Sequence, residues 1–91
     1  MRFQWHWRKA EDNIKWHGVS FEEAATVFGD PLAEIEPDFA HSINEDRFLA
    51  FGTSDQGRLL VVVFTERGDT IRIISAREMT PRERRDYELY D

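Results

Sequence analysis

Ninety-one residues make one small domain, and 41% hydrophobic with 33% charged residues is the balance of an ordinary soluble globular chain. The formal net charge of −6 disfavours a uniformly basic surface, and the lack of cysteine excludes disulfides, thiolate metal sites and cysteine nucleophiles. No apolar run approaches the roughly 18 residues of a membrane span, and MRFQWHWRKAED at the start lacks a signal peptide's apolar segment, so cytoplasmic residence is expected by default.

RFQWH at 2–6 reads as a short opening strand. Ala10, Ile14 and His17 at helical spacing predict a helix over 8–17, with Gly18 as its left-handed stop. Ser20 followed by Glu23 is a capping-box pattern, and Val19 and Ala24 are placed as its hydrophobic staple. Phe21, Ala24, Ala25 and Phe28 form the apolar stripe of a second, short helix ending at Gly29. Asp30-Pro31 breaks that helix, and Leu32 to Asp38 alternates as an exposed edge strand should, with Pro37 near its end.

The second half reads as strand and turn. RFLAFGT (47–53), RLLVVVFTE (58–66) and TIRIISAR (70–77) predict three strands joined by SDQG and RGD, an antiparallel meander. Its middle strand is apolar on both faces and should be central. Thr80 at N-cap, Pro81 at N1 and Glu83 at N3 open a C-terminal helix running into ERRDYELYD. The fold class is therefore α+β, a compact antiparallel sheet with two N-terminal helices and one C-terminal helix, in a single domain over 1–91.

Charge is unevenly distributed. Between Lys15 and Arg47 there are eight carboxylates and no Lys or Arg, whereas every basic residue from Arg47 to Arg85 is Arg. Guanidinium groups bind phosphate or carboxylate bidentately, so this half suits an anion site. With Gly68 and Asp69 at the turn tip, Arg67 pairs with Thr70, Glu66 with Ile71, Phe64 with Ile73, Val62 with Ser75 and Leu60 with Arg77. Period two then puts Arg72 and Arg77 on opposite faces, unless a bulge shifts the register. Arg77, beside a capped helix start, is the stronger phosphate candidate, with a salt bridge to Glu83 as the structural alternative; Arg72 would pair with Glu66 or Asp69. His17 ends a helix at the negative end of its dipole, which suits a cap. His6 and His41 have no second ligand at helical or hairpin spacing, so no metal site is expected. Trp5, Trp7 and Trp16 crowd the first helix, most simply as core and partner surface, though aromatic rings near arginines also stack on RNA bases.

FQW near the start, N-x-x-x-H-G-V-S-F at 13–21, EAATVFGDP at 23–31, GRLLVVVFTERG at 57–68, RIISAR at 72–77 and ER-x-x-Y at 83–87 together resemble the BrnT family over nearly the whole chain. The resemblance implies a RelE-like fold and a toxin of a type II toxin–antitoxin module. It implies metal-independent RNA cleavage with no cofactor, neutralised by a BrnA-like ribbon-helix-helix antitoxin through which DNA is reached only indirectly. On the family pattern the catalytic candidates are Arg77, Arg72, Arg67, Glu66, His17 and Tyr87, with Arg58 and Lys9 as RNA-binding candidates. The base is left open among His17, Glu66 and Tyr87. The chain departs from the family's opening pattern at His6 and Trp7 and again at Trp16, which weakens a role for that end. The alternative is a catalytically weak or inactive binding module of the same fold, pairing with an antitoxin or as a homodimer through its edge strand and aromatic first helix.

Overall fold

In the computed structural model, which describes residues 1–89, the chain runs β1 (Arg2–Gln4), α1 (Trp7–His17), α2 (Phe21–Thr26), β2 (Glu34–Pro37), β3 (Phe48–Thr53), β4 (Leu59–Arg67), β5 (Thr70–Glu78) and α3 (Pro81–Leu89). Short 3₁₀ turns at Val27–Gly29 and Phe39–His41 follow α2 and β2. The last two residues of the expected C-terminal helix lie outside the described residues. The helix boundaries at Gly18 and Thr80 have the chemistry the sequence announced. Gly18 at φ 68° closes α1, donating its N–H to the Ile14 carbonyl at 2.9 Å. At α3, the Thr80 N–H donates to Glu83 Oε1 at 2.9 Å and the Glu83 N–H donates to Thr80 Oγ1 at 3.2 Å, a complete reciprocal cap. At α2 only half forms. Ser20 Oγ accepts from the Glu23 N–H at 3.0 Å, but the Glu23 carboxylate turns inward to Arg58 and Ser54, which are stronger partners than a backbone amide.

One sheet carries all five strands in the order β1-β5-β4-β3-β2, with the apolar β4 in the centre. β2, β3, β4 and β5 pair antiparallel as expected, whereas β1 joins β5 in parallel, Arg2 opposite Thr70 and Gln4 opposite Arg72. The sheet is therefore mostly antiparallel. The reversal has a simple cause: three antiparallel steps from β2 to β5 leave an open outer edge on β5, and the opening strand reaches it through a long crossover.

Leu60, Val62, Phe64, Ala50, Ile71, Ile73 and Ala76 point to the face covered by α1 and α2, where Val19, Phe21, Ala24 and Val27 complete the main core. Phe28 packs edge-on against Phe64, ring centroids 5.0 Å apart. The other face holds a smaller cluster in which Val61, Met79 and Tyr87 pack with Leu49, Phe51 and Leu59 under α3. Gly52 on β3 makes room for the turn after α2, since a Cβ there would lie 2.9 Å from Val27 Cγ1 and 3.1 Å from both Ala33 Cβ and Asp30 Oδ2.

The β4–β5 register departs from the expected one halfway along. Phe64 faces Ile73 but Val63 faces Ser75, so Ile74 is an extra residue, a β-bulge. Beyond it Val62 opposes Ala76 and Val61 opposes Arg77, instead of Val62 with Ser75 and Leu60 with Arg77. Because the bulge absorbs one residue, side-chain parity reverses across it. Arg72 lies between the core residues Ile71 and Ile73, and Arg77 follows the core residue Ala76, so both arginines project to the α3 face. The expectation that they lie on opposite faces is overturned by this single residue.

β1 ends opposite Arg72, which leaves the rest of the β5 edge without a strand partner. α1 fills the gap with one side chain. Asn13, 5% exposed, donates from Nδ2 to the Ala76 and Val19 carbonyls, both at 2.8 Å, and accepts the Ala76 N–H on Oδ1 at 3.0 Å. Its amide satisfies both backbone groups of Ala76, as a sixth strand would.

Candidate functional site

Residues 38–47 connect β2 to β3 and contribute to the α3 face. The Asp38 N–H donates to the Arg47 carbonyl at 2.8 Å, and Ser42 Oγ both accepts from the Arg47 N–H at 2.9 Å and donates to the Asp38 carbonyl at 2.7 Å. One hydroxyl thus closes the connection across its base. A cleft of about 350 Å³ opens there, lined by Asp38, His41, Arg47, Leu49, Val63, Ile74, Ser75 and Arg77. Arg67 at the hairpin end reaches the same connection through Glu45, at 3.5 Å.

Arg77 is held firmly at this cleft. Its guanidinium donates to both Glu83 oxygens, at 2.7 and 3.0 Å, and to the Glu78 carbonyl at 3.2 Å. The salt bridge considered as the structural alternative therefore forms. The hydrogen bonds from Arg77, working against desolvation and helped by the Thr80 amide, bring the Glu83 carboxyl down to about 2. Arg77 still keeps 41% of its side chain exposed and lines the cleft. Among the described residues neither Arg47 nor Arg72 has a carboxylate partner. Glu66, the partner expected for Arg72, shares the opposite face with Ile71. Arg47, Arg67, Arg72 and Arg77 thus share one face of an acidic protein.

The other sequence candidates fall elsewhere. Arg58 is tied to Glu23, with Nη2 2.5 Å from Oε1 and Nε 3.0 Å from Oε2, and donates to the Gly18 carbonyl at 3.0 Å. Ser54 Oγ adds a 2.7 Å hydrogen bond to the same carboxylate. These bonds, Arg58 first, outweigh burial and hold the Glu23 carboxyl below its ordinary range. The cluster joins the α1–α2 junction to the β3–β4 turn, so Arg58 is committed to the fold. Lys9 and His17 line a separate hollow of about 170 Å³ with Asp12, Asn13, Trp16 and Ile74. Ile74 is the wall this hollow shares with the arginine cleft. Glu66 lies exposed on the opposite face. Tyr87 is 5% exposed, and its hydroxyl donates to Asp30 Oδ2 at 2.8 Å, which ties α3 to the turn before β2.

A larger cleft, about 580 Å³, lies between β2, β3 and α3 and is lined by Glu34, Glu36, Glu83 and Asp86 around Leu49, Phe51, Tyr87 and Leu89. Four carboxylates repel phosphate, whereas the smaller cleft presents Arg47 and Arg77. The candidates named from the sequence do not include Arg47, Ser75 or the pair Asp38–His41, all of which line this smaller cleft. The available signal was the i,i+3 spacing of Asp38 and His41 in a connection long enough to fold back on itself.

The model of the family described as "Ribonuclease toxin, BrnT, of type II toxin-antitoxin system" matches residues 5–83. The chain therefore belongs to the ribonuclease toxins of type II toxin–antitoxin systems. Within them its family is BrnT. The 1.1 Å crystal structure of the Brucella abortus ribonuclease toxin BrnT superimposes with a TM-score of 0.68 at 24% identity, covering 88% of this chain and 97% of that one. No curated protein sequence matches the chain.

Proposed function

We propose that this chain is an endoribonuclease toxin that cuts RNA without a metal ion, with Arg77, Arg72, Arg67 and Arg47 taking the phosphates. The observation that carries the reading is the bulge at Ile74, which gathers Arg72 and Arg77 on the α3 face beside Arg47. In such a reaction the ribose 2′-oxygen attacks the adjacent phosphorus, and fixed cations meet the charge that develops on the phosphorane oxygens. Arg77 is the leading group because Glu83 preorients its fork and the cleft reaches it. Phe39, 85% exposed on the turn beside the cleft, is a ring on which an unpaired base can stack. The partner is a BrnA-like ribbon-helix-helix antitoxin acting in the cytoplasm, and DNA is reached only through it.

The test is cleavage of a single-stranded RNA by the purified protein in excess EDTA, with Arg77→Ala alongside. Wild type is expected to cut and Arg77→Ala to lose about 100-fold or more while keeping its melting curve. Retained cleavage in the variant removes Arg77 from the site.

A second reading, a non-catalytic binding module, is favoured by Trp7 and Trp16, 61% and 72% exposed on α1, and by the unpaired outer edge of β2. It predicts no growth arrest on expression and intact RNA, whereas a toxin arrests growth and is rescued by its antitoxin.

A further inference from the structure

We propose that His41 is the proton-transferring residue of the RNA-cleaving site and that Asp38 orients it. The inference rests on the ribonuclease reading above and names the group which that reading leaves open. His41 Nδ1 lies 3.0 and 3.1 Å from the two oxygens of Asp38. A carboxylate accepts and does not donate, so the neutral ring carries its proton on Nδ1 and presents the Nε2 lone pair. Nε2 has no partner among the described residues, and the side chain is 69% exposed at the mouth of the arginine cleft. Asp38 is 14% exposed and anchored through its own backbone to Arg47 and Ser42, so the orienting carboxylate is fixed while the imidazole faces solvent. Base, orienting carboxylate and phosphate-binding guanidinium are the three parts an acid–base phosphoester site needs, and one cleft supplies them all.

The alternatives are placed less well. His6 is spent on its helix, where Nδ1 accepts the Arg8 N–H at 3.2 Å. Tyr87 donates its proton to Asp30 in the second core, Glu66 is on the opposite face, and His17 lies in the hollow beyond Ile74.

The 2′-hydroxyl proton passes to His41 Nε2 as the new O2′–P bond forms, Arg77 and Arg47 neutralise the equatorial phosphorane oxygens, and the P–O5′ bond then breaks. The departing 5′-oxygen takes a proton from the imidazolium or from water, leaving a 2′,3′-cyclic phosphate and a 5′-hydroxyl. His41 acts on the substrate directly and is catalytic; Asp38 acts through it and is a positioning residue.

The experiment measures cleavage of a single-stranded RNA oligonucleotide by wild type, His41→Ala, His41→Gln and Asp38→Asn, with product ends identified and melting curves recorded. Both His41 variants are expected to lose about 100-fold or more in rate. Added imidazole should restore part of the rate to His41→Ala but none to Arg77→Ala. Asp38→Asn should be slowed about 10-fold with its melting temperature little changed. A wild-type rate in His41→Ala or His41→Gln, with wild type cutting normally, overturns the assignment of His41 and leaves the ribonuclease reading standing. Unimpaired Asp38→Asn overturns the orienting role. Absence of cleavage by wild type itself overturns both.

Discussion

Asn13 and Ala76, 63 residues apart in sequence, are joined by two hydrogen bonds that imitate a β-ladder: Nδ2 to the Ala76 carbonyl at 2.8 Å and the Ala76 N–H to Oδ1 at 3.0 Å. The bonds fix α1 to β5 at the point where β1 has ended and just before Arg77.

Asn13→Ala leaves a buried N–H and two buried carbonyls without this partner. A loss of about 2–4 kcal/mol is expected, read by denaturant unfolding. Asn13→Asp should be at least as harmful at neutral pH, because a carboxylate turns an acceptor towards the Val19 and Ala76 carbonyls where the amide offers a donor.

Glu83 sets an acid limit on stability. Its carboxyl, ordinarily at 4.5, is held at about 2 in the folded protein. A depressed carboxylate stabilises the fold fully above its unfolded value and loses that contribution as pH falls through the folded one, so the window runs from about 4.5 down to about 2. With side-chain exposures of 41% and 26% for Arg77 and Glu83, solvent screening limits the contribution to about 1 kcal/mol. Melting temperature against pH should fall across this window in wild type and fall less in Glu83→Gln.

Arg58→Ala should destabilise by about 3 kcal/mol, because it strands the Glu23 carboxylate, 2% exposed, with Ser54 as its remaining side-chain partner. Combining it with Glu23→Leu should cost less than the two single changes added together, since the second change removes the stranded charge. Comparable additive losses would show that the pair is not coupled.

Gly52→Ala should cost about 1–3 kcal/mol through overpacking against Val27 and Ala33, measured by the unfolding midpoint. Val27→Ala in the same chain should recover part of the loss by vacating the atom 2.9 Å from the new methyl group.

Most of the fold was legible because its signals are local. Gly18, Ser20, Thr80 with Glu83, and the runs around Val61 and Ile73 each specify their element within a few residues. What escaped depends on partners far along the chain. The parallel placement of β1 follows from which sheet edge remains open, and nothing in RFQ states it. The bulge at Ile74 leaves no mark in an unbroken IRIISA run, yet it decides the side on which Arg77 stands. Glu23 matches a capping box and instead serves Arg58, 35 residues later, because a charged guanidinium outcompetes a backbone amide for its buried carboxylate. Arg77 with Glu83 was readable because six residues separate them. Asp38 with His41 is equally local, but both residues gain meaning only where the connection meets β5.

The pairing of β1 with β5 also sets the order in which the molecule can be completed during synthesis. Arg2 must wait for Thr70, and Asn13 for Ala76, so the first helix cannot be fixed to the sheet until the last strand has left the ribosome. Arg72 and Arg77 belong to that last strand, and Arg77 is fastened by Glu83 in the helix after it. A nascent chain therefore carries its arginine face only after β5 and α3 have both been made.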